Sequence, residues 1–383
     1  MPALSGDPKD DANGRPHQER VKQFIESTLA SVLDELSKPD GRPSVTLKRR
    51  SKRANNCSLN EETGALQVDT NGREWSVTYS WPGKTVTDAW KFGVIMRILG
   101  HISEAIEGKF ISSKRDIYYL DPAYFGSQRL VDGYIDDIAY TVGVDRAALH
   151  VSAAAKGLTV GRYKINLQNG SVLKVGEHGE GILIPRAHEI VGFDLSGVRW
   201  ILIIEKEAVF HRLATSNYHA TSAAGGGILI TGKGYPDLST RAFLRSISEW
   251  RNSPARFIPI YVLVDCDPDG MAIMSTYKYG SISQSHENAN LNVPGVEWLG
   301  LRASDTAIPG NADVDRPLIP MTLRDRTRAQ AMLSHSVIFS DEREQEWRLE
   351  LQRMLMVNAK AEIEVLYEKA GGIEGWLDRK LKR

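Results

Sequence analysis

In the first half of the chain, apolar residues recur every three or four positions in several stretches. This spacing predicts an amphipathic helix over 21–36, a second helix over 92–106 and a third from about 127 to 142. Two short segments, 149–152 and 162–167, look like strands on either side of a glycine-containing turn. Helices followed by a small hairpin predict a winged-helix arrangement, a shape that often lies on duplex DNA.

The second half of the chain has a different apolar pattern. Residues 200–204, 228–231 and 258–264 are almost continuous apolar runs, typical of strands buried on both faces of a sheet. Segments with helical spacing separate these runs, so the order βαβαβ predicts a parallel, doubly wound sheet with right-handed crossovers. Near the C-terminus, apolar positions from Trp347 toward Leu366 predict a long helix. The fold class is therefore predicted to be α/β within a mixed α+β, multidomain chain.

These patterns predict five segments. The N-terminal residues are polar and contain Pro and Gly, which is typical of a disordered tail. The helix that follows needs a surface for its apolar face, either on its own protein or on a partner. A length of 383 residues favours two folded domains over one. The predicted segments are 1–20 for the tail, 21–37 for an amphipathic partner-binding helix, 38–73 for a basic linker and the start of the fold, 74–185 for the first domain and 186–383 for the second.

Charge and cysteine content limit the class of protein. Lys and Arg total 48, as do Asp and Glu, so affinity for a polyanion must come from locally placed charge. The basic run from Lys48 to Arg53 could be a DNA-contacting or nuclear-localisation patch, or a solvated linker. Cys57 and Cys266 are too few for a disulfide framework, which favours a reducing compartment. Because no stretch could span a membrane and no signal-peptide core is present, we expect a soluble intracellular protein.

Acidic residues follow two of the predicted buried strands. Glu205 comes directly after one strand, and Asp265 and Asp267 follow another. Carboxylates at the carboxyl ends of neighbouring parallel strands are suitable ligands for Mg²⁺, which prefers oxygen donors and leaves positions open for phosphate. The alternative is a structural role, in which these acids cap the following helices or pair with Lys206. Asp269, close to a predicted helix start, is expected to be a helix cap rather than a further ligand.

A second set of candidate residues lies at 114–119. Tyr118 and Tyr119 are adjacent, and Arg115 precedes them by a few positions. A tyrosine hydroxyl becomes a useful nucleophile when a cation favours its phenolate, and a guanidinium also binds phosphate oxygens. If the segment is a strand, the two tyrosines face opposite sides and at most one of them enters a site. The alternative is that both are ordinary packing residues.

Two other patterns do not lead to a site. Residues 227–234 nearly match a phosphate-binding P-loop, but Gly234 stands where Ser or Thr would bind magnesium, and the preceding residues are strand-like. An ATP site is therefore not predicted, and no cofactor other than Mg²⁺ is expected. The nine histidines are scattered without a spacing that indicates a catalytic triad.

With both candidate sets considered together, the chain resembles the A subunit of the type IIB topoisomerases (topoisomerase VI). It also resembles the meiotic relative of that subunit, the transesterase that makes double-strand breaks. Matching stretches keep the order of that family and cover roughly residues 75 to 370. The version of the stretch at 275–281 favours the meiotic branch. The matching stretches are 114–119, 151–158, 203–210, 231–237, 265–268 and 298–302.

This resemblance implies a fold and a reaction. The fold is an N-terminal winged-helix (CAP-like) domain and a C-terminal Toprim domain with a Rossmann-like parallel sheet. By position, Tyr119 matches the nucleophile and Arg115 its supporting arginine, whereas Glu205, Asp265 and Asp267 match the Mg²⁺ ligands. The reaction is a Mg²⁺-dependent DNA transesterification through a covalent 5′-phosphotyrosyl intermediate.

The resemblance also implies partners. Lys156, Lys233 and Tyr235 fall in segments expected to contact double-stranded DNA. Cleavage is expected to require a homodimer, in which the tyrosine of one protomer meets the metal site of the other. A topoisomerase VI B-like subunit is expected to bind the helix at 21–37, and the expected location is the nucleus, with no membrane association. Asp269 departs from the family, where we expect an aromatic residue or His. Two alternatives remain: a Toprim-type hydrolytic nuclease and a catalytically silent DNA-binding scaffold.

Overall fold

The structure is a computed structural model and describes residues 17–49, 57–68, 75–152, 156–177, 179–251, 257–282, 285–306 and 318–382. The chain divides into two compact units. Unit 1 comprises Met1–Lys52 and Thr70–Ala154, and unit 2 comprises Arg53–Asp69 and Ala155–Arg383. None of the described helices is both long and apolar enough to cross a membrane.

The described residues form both α-helices and β-strands. The α-helices are α1 (His17–Leu36), α2 (Val86–Glu107), α3 (Lys114–Tyr119), α4 (Pro122–Phe125), α5 (Gln128–Val142), α6 (Glu207–Thr215), α7 (Tyr218–Thr221), α8 (Leu238–Arg251), α9 (Pro268–Lys278), α10 (Ser285–Leu291), α11 (Ala303–Thr306), α12 (Leu323–His335), α13 (Val337–Ser340), α14 (Gln345–Val357) and α15 (Gly372–Leu381). The strands are β1 (Ser44–Arg49), β2 (Cys57–Leu59), β3 (Leu66–Val68), β4 (Trp75–Ser80), β5 (Ser112–Ser113), β6 (Val151–Ser152), β7 (Leu158–Gly161), β8 (Lys164–Leu167), β9 (Val172–Lys174), β10 (Ile182–Leu183), β11 (Ile190–Asp194), β12 (Trp200–Ile204), β13 (Gly227–Thr231), β14 (Ile260–Leu263), β15 (Val296–Gly300), β16 (Ile319–Pro320) and β17 (Ala359–Lys360).

Unit 1 is built around helices α2 and α5. Helix α2 begins at a capping box, in which the Thr85 hydroxyl accepts from the Asp88 N–H and the Asp88 carboxylate accepts from the Thr85 N–H. An antiparallel pair, β1 and β4, packs with these helices. The apolar faces of α2 and α5 meet in one core, which also takes in the short helix α3 that lies between them in sequence. The fully buried residues of this core include Val94, Ile95, Ile98, Ile102, Ile117, Phe125, Val131, Ile135 and Ile138.

Helix α1 packs on unit 1 along one face only. Val21 is fully buried, and the Arg20 guanidinium donates to the carbonyl oxygens of Val142 and Gly143 at the end of α5. A second row of apolar side chains on α1, which we call the leucine row, is 48–58% exposed and consists of Leu29, Leu33 and Leu36. Unit 1 therefore covers only part of the apolar surface of α1. The helix starts at His17, so the last four residues of the predicted tail are helical, and residues 1–16 lie outside the described residues.

The hairpin predicted after the helices is wrong. Strand β6 pairs with β5 in unit 1 and runs parallel to it, whereas β8 pairs with β9 and β11 in unit 2. Strands this short carry no pattern that identifies their partners. Residues 155–185, which the sequence placed in the first domain, belong to the second unit by their contacts. The winged-helix arrangement is not shown by these strand pairings.

Part of the predicted linker also belongs to unit 2. Strands β2 and β3 form an antiparallel pair within 53–69. The Leu66 N–H donates to the Tyr279 carbonyl oxygen at 2.8 Å, and the Asn288 amide donates to the Leu66 carbonyl oxygen at 2.9 Å. The chain therefore enters unit 2, returns to unit 1 and enters unit 2 again. Of the basic run, Lys48 and Arg49 lie in β1, and residues 50–53 lie outside the described residues.

The main sheet of unit 2 confirms the predicted parallel α/β class. Its strand order is β10-β7-β13-β12-β14-β15, in which β12 runs parallel to both β13 and β14, and β14 runs parallel to β15. Every residue of β12 and β13 is buried, as the continuous apolar runs predicted. The antiparallel edge formed by β7 and β10 was not predicted. Because β12 and β14 are neighbouring parallel strands, the residues that follow them meet at one edge of the sheet.

The long C-terminal helix predicted from Trp347 toward Leu366 is interrupted. Helix α14 ends at Val357, because Asn358 adopts the left-handed conformation with φ 52°. The chain then forms β17, and Ala361 makes a backbone bridge with Cys266, which lies between Asp265 and Asp267. This interruption brings the C-terminal segment against the acidic loop after β14.

Candidate active site

The segment that contains both tyrosines is a helix, so the alternation expected of adjacent tyrosines in a strand does not apply here. Helix α3 is capped by Ser113, whose hydroxyl accepts from the Asp116 N–H at 3.0 Å while the Asp116 carboxylate accepts from the Ser113 N–H at 2.8 Å. This capping box satisfies backbone donors at the helix start and holds the first turn in place. Six residues are too few for a helical period to be recognised, so the sequence did not identify this helix.

The two tyrosines have different surroundings on this helix. Tyr119 is 58% exposed, whereas Tyr118 is half-buried against the core of unit 1. Ile117 is fully buried and anchors the helix. Arg115 is exposed, and its guanidinium carbon lies 5.8 Å from the centroid of the Tyr119 ring. Tyr119 and Arg115 can therefore meet a ligand together, whereas packing restricts Tyr118.

A buried ion cluster behind α3 was missed by the sequence reasoning. Lys114 and Arg146 both pair with Asp136, with 2.6 Å between the Arg146 Nε and the Asp136 Oδ1. The Lys114 ammonium also donates to the Asp132 carbonyl oxygen at 3.2 Å. Burial, and then the nearby Arg146, lower the pKa of Lys114. The acidic pair at 136–137 interrupts the apolar face of α5, and this pattern could have indicated a buried ion pair.

Two of the predicted metal ligands are in contact. Glu205 follows β12 and Asp265 follows β14, and the Asp265 N–H donates to the Glu205 Oε2 at 2.9 Å. Burial, and then repulsion from Asp265, raise the pKa of Glu205 to about 8. Burial also raises the pKa of Asp265 to about 6, although Lys206 opposes this shift. Buried carboxylates with raised pKa values gain from a bound cation.

The structural role considered for these acids, as helix caps or as partners of Lys206, is also observed for two of them. Asp267 caps helix α9, because its Oδ1 accepts from the Gly270 N–H at 2.7 Å. Lys206 pairs with Asp265, with 3.2 Å between the Nζ and the Oδ2. The cap predicted for Asp269 is wrong, since its side chain pairs with Arg328 at 2.7 Å. The cap is two residues earlier because Pro268 takes the first helical position.

The three carboxylates are suitable ligands for a hard divalent cation, although their side chains do not all converge on one point. Within the described ranges, no group of three or more acidic, His or Cys side chains is arranged to hold a metal ion. Glu205 and Asp267 each use one carboxylate oxygen in a hydrogen bond to backbone. Asp265 accepts from the Ile363 N–H at 2.8 Å and also pairs with Lys206. The carboxylates therefore fit Mg²⁺ by chemistry, with Lys206 as a competing cation.

The three predicted DNA-contacting residues lie close together beyond β13. Lys156 is exposed, and its ammonium donates to the Lys233 carbonyl oxygen at 3.2 Å. Lys233 pairs with Glu207 at 2.8 Å. Tyr235 is 42% exposed, and its hydroxyl donates to the Asp269 carboxylate at 3.3 Å. The first five residues of the near match to a P-loop, 227–231, form the buried strand β13 and not a phosphate-binding loop.

Tyr235 has a partner that the sequence did not indicate. The Arg328 guanidinium, from α12, donates to the Tyr235 hydroxyl and pairs with Asp269. Burial raises the pKa of Tyr235 to about 12, so the hydroxyl remains protonated. Arg328 thereby connects α12 to the loop after β13, and no local pattern indicates a pairing over 93 positions.

Comparison with known proteins gives the family. Residues 200–377 match the family model for the Toprim domain of Spo11 and of the topoisomerase 6 A chain, and residues 90–151 match the one described as "Type IIB DNA topoisomerase". The human "Meiotic recombination protein SPO11" is 31% identical over 90% of this chain and 83% of its own. The chain belongs to the Spo11/topoisomerase 6A family. The resemblance inferred from the six matching stretches is therefore confirmed.

Other members of the Spo11/topoisomerase 6A family match over similar or shorter lengths. The "Meiotic recombination protein rec12" of Schizosaccharomyces pombe is 33% identical over 95% of this chain and 96% of its own. The A chain of DNA topoisomerase 6 from Arabidopsis thaliana is 34% identical over 74% of this chain and 64% of its own. The family match over 200–377 also confirms that unit 2 contains a Toprim domain.

Proposed function

We propose that this chain is a DNA transesterase that makes meiotic double-strand breaks, with Tyr119 as its nucleophile. The family assignment supports this reaction class. The observation that carries the choice of residue is the exposed Tyr119, which lies beside Arg115 on a capped and anchored helix, while Tyr118 packs against the core. The Tyr119 oxygen attacks a backbone phosphorus, the bond to the 3′ oxygen breaks, and a 5′-phosphotyrosyl ester forms.

Arg115 has two roles in this proposal. Its guanidinium favours the phenolate of Tyr119 electrostatically, and it can donate two hydrogen bonds to the oxygens of the reacting phosphate. Fixed donors aimed at developing charge lower the barrier more than the same groups free in water. Because one ester replaces another, the strand can later be rejoined without a separate energy source.

The acidic cluster is proposed to bind Mg²⁺. Toprim domains generally bind divalent metal ions, and Glu205, Asp265 and Asp267 supply the hard oxygen ligands. When bound, the ion supplies positive charge for the phosphate oxygens during transfer. We propose that the tyrosine of one protomer acts beside the acids of its partner, so that a homodimer cuts both strands.

The proposed partners are double-stranded DNA and a second type of protein chain. Lys156, Lys233 and Tyr235 form a patch at the end of β13 that can contact the phosphate backbone of DNA. The leucine row of α1 supports the proposal that this helix binds a topoisomerase VI B-like subunit, because its own unit leaves that row exposed. We propose that the protein acts in the nucleus, because a function in meiotic recombination requires access to chromosomal DNA.

The proposal is tested by comparing Tyr119→Phe with Tyr118→Phe. Purified protein, with its B-like partner where needed, is incubated with duplex DNA and Mg²⁺, denatured and assayed for protein attached to 5′ ends. We expect adducts from the wild type and from Tyr118→Phe, and none from Tyr119→Phe. Adducts that persist in Tyr119→Phe would contradict the assignment. Free 5′ ends without attached protein would instead support the hydrolytic nuclease.

A further inference from the structure

Lys206 forms the centre of an ion cluster that includes a predicted metal ligand. Its ammonium lies 3.2 Å from the Asp265 Oδ2, 2.6 Å from the Glu364 Oε2 and 3.4 Å from the Glu362 Oε2. The lysine follows Glu205 directly and its side chain is 21% exposed. One largely buried ammonium therefore joins the acidic loop after β14 to the C-terminal segment, where Glu364 lies 158 positions after Lys206 in sequence.

We propose that Lys206 competes with the divalent cation for Asp265 and so sets the affinity of the acidic cluster for that ion. Both oxygens of Asp265 are engaged, one by Lys206 and the other by the Ile363 N–H. The backbone donor is held by the bridge between Cys266 and Ala361, whereas the lysine side chain can rotate. The ammonium is thus the contact that Asp265 can exchange for a metal ion.

The two glutamates make this exchange feasible. Moving a buried ammonium away from its only counter-ion would leave an unpaired charge, which is strongly unfavourable. Glu364 and Glu362 are more exposed than Asp265, at 38% and 55% against 11% of the side chain, and both already contact Lys206. The ammonium can therefore leave Asp265 and remain neutralised. Lys206 acts as a positioning residue: it holds Asp265 until the metal ion replaces it.

The inference rests on the proposed metal site and is tested by metal binding rather than by cleavage. Mn²⁺ is used as the probe because the free ion is measured directly by electron paramagnetic resonance, with Mg²⁺ added as competitor. We expect Lys206→Met to bind Mn²⁺ about tenfold more tightly than the wild type, because the wild type must first break a charge-assisted hydrogen bond. Lys206→Arg retains the charge with a firmer, forked contact, so we expect it to bind Mn²⁺ more weakly.

Two further variants separate this mechanism from a general charge effect. Lys164→Met removes an equal charge from unit 2 at a residue that pairs with Asp194, and its Mn²⁺ affinity should equal that of the wild type. Glu364→Gln should weaken Mn²⁺ binding, because it removes a site to which Lys206 moves. In the Lys206→Met background the same change should have no effect, whereas a general loss of negative charge would act in both backgrounds.

The outcomes distinguish this inference from the proposed function. The wild type should bind Mn²⁺ and Glu205→Gln should not, which shows that the ion occupies the acidic cluster. Under that condition, equal or weaker Mn²⁺ binding by Lys206→Met would overturn the inference and leave the metal site intact. Wild-type protein and variants that all fail to bind Mn²⁺ would overturn the metal site and the inference together. Thermal denaturation gives a second readout: without metal, Lys206→Met should melt at a lower temperature than the wild type, and Mn²⁺ should raise its melting temperature by more.

Discussion

The buried ion cluster behind the tyrosine helix gives a quantitative prediction. Lys114, Asp136 and Arg146 have side chains only 15%, 12% and 9% exposed, and one carboxylate serves both cations. Asp136→Ala leaves two buried cations without that counter-ion, which should destabilise unit 1 by about 3–5 kcal/mol. Lys114→Met removes one cation and leaves the other pair intact.

The cost of Lys114→Met should be smaller for a physical reason. The pKa of Lys114 is lowered by burial and by Arg146, so its charged form is less favourable there than in water. Loss of its hydrogen bonds is offset by relief of that repulsion and desolvation, and we expect a net cost of about 1 kcal/mol. The double variant carries one buried cation near the missing carboxylate instead of two, so it should be more stable than Asp136→Ala alone.

Hydrogen exchange of the full chain measures this prediction locally. Peptides from α3 and α5 report the free energy of opening of unit 1, and peptides from β12 and β13 in unit 2 serve as the internal control. Exchange in α3 and α5 should accelerate in the order wild type, Lys114→Met, Asp136→Ala. If Asp136→Ala costs no more than Lys114→Met, or if the double variant shows no recovery, the ion cluster does not hold α3 in place.

Three other predictions concern packing, pH and DNA affinity. A Cβ at Gly227 would lie 2.3 Å from the buried ring of Trp200, so Gly227→Ala should lower the free energy of unfolding by about 1–3 kcal/mol. Gly133 lies on helix α5 with open space around it, so Gly133→Ala should raise the free energy of unfolding by about 0.5–1 kcal/mol. Thermal denaturation compares the two variants. Burial lowers the pKa of His219 below 6.5, so the unfolded chain binds this proton more tightly and stability falls as pH drops through 6.5. Between pH 7.5 and 5.5, the melting temperature of His219→Gln should therefore depend less on pH, by about the contribution of one proton. A slope equal to that of the wild type would contradict this. Lys156→Gln should weaken DNA binding equally on different sequences and reduce the slope of log affinity against log salt by about 1, and an unaltered slope would exclude a phosphate contact.

Much of unit 2 follows from local pattern alone. Continuous apolar runs identified β12, β13 and β14 because a strand covered on both faces has no polar positions. The helical segments between them required a parallel sheet, and parallel strands place their carboxyl ends at one edge. The sequence therefore predicts that Glu205 and Asp265 lie close together, and in the structure they are in contact.

The remaining features depend on pairings between distant parts of the chain. Helix α3 is too short to show a period, and its exposed and half-buried tyrosines differ only because the core of unit 1 contacts one of them. The partners of β6 and β8, the contact of Arg328 with Asp269 and the contact of Lys206 with Glu364 join residues that no periodicity relates. Periodicity records which face of an element is buried, and it contains no information about which other element covers that face. The edge of the sheet where the acids lie was thus encoded locally, whereas the cations around those acids were fixed only when the whole chain packed.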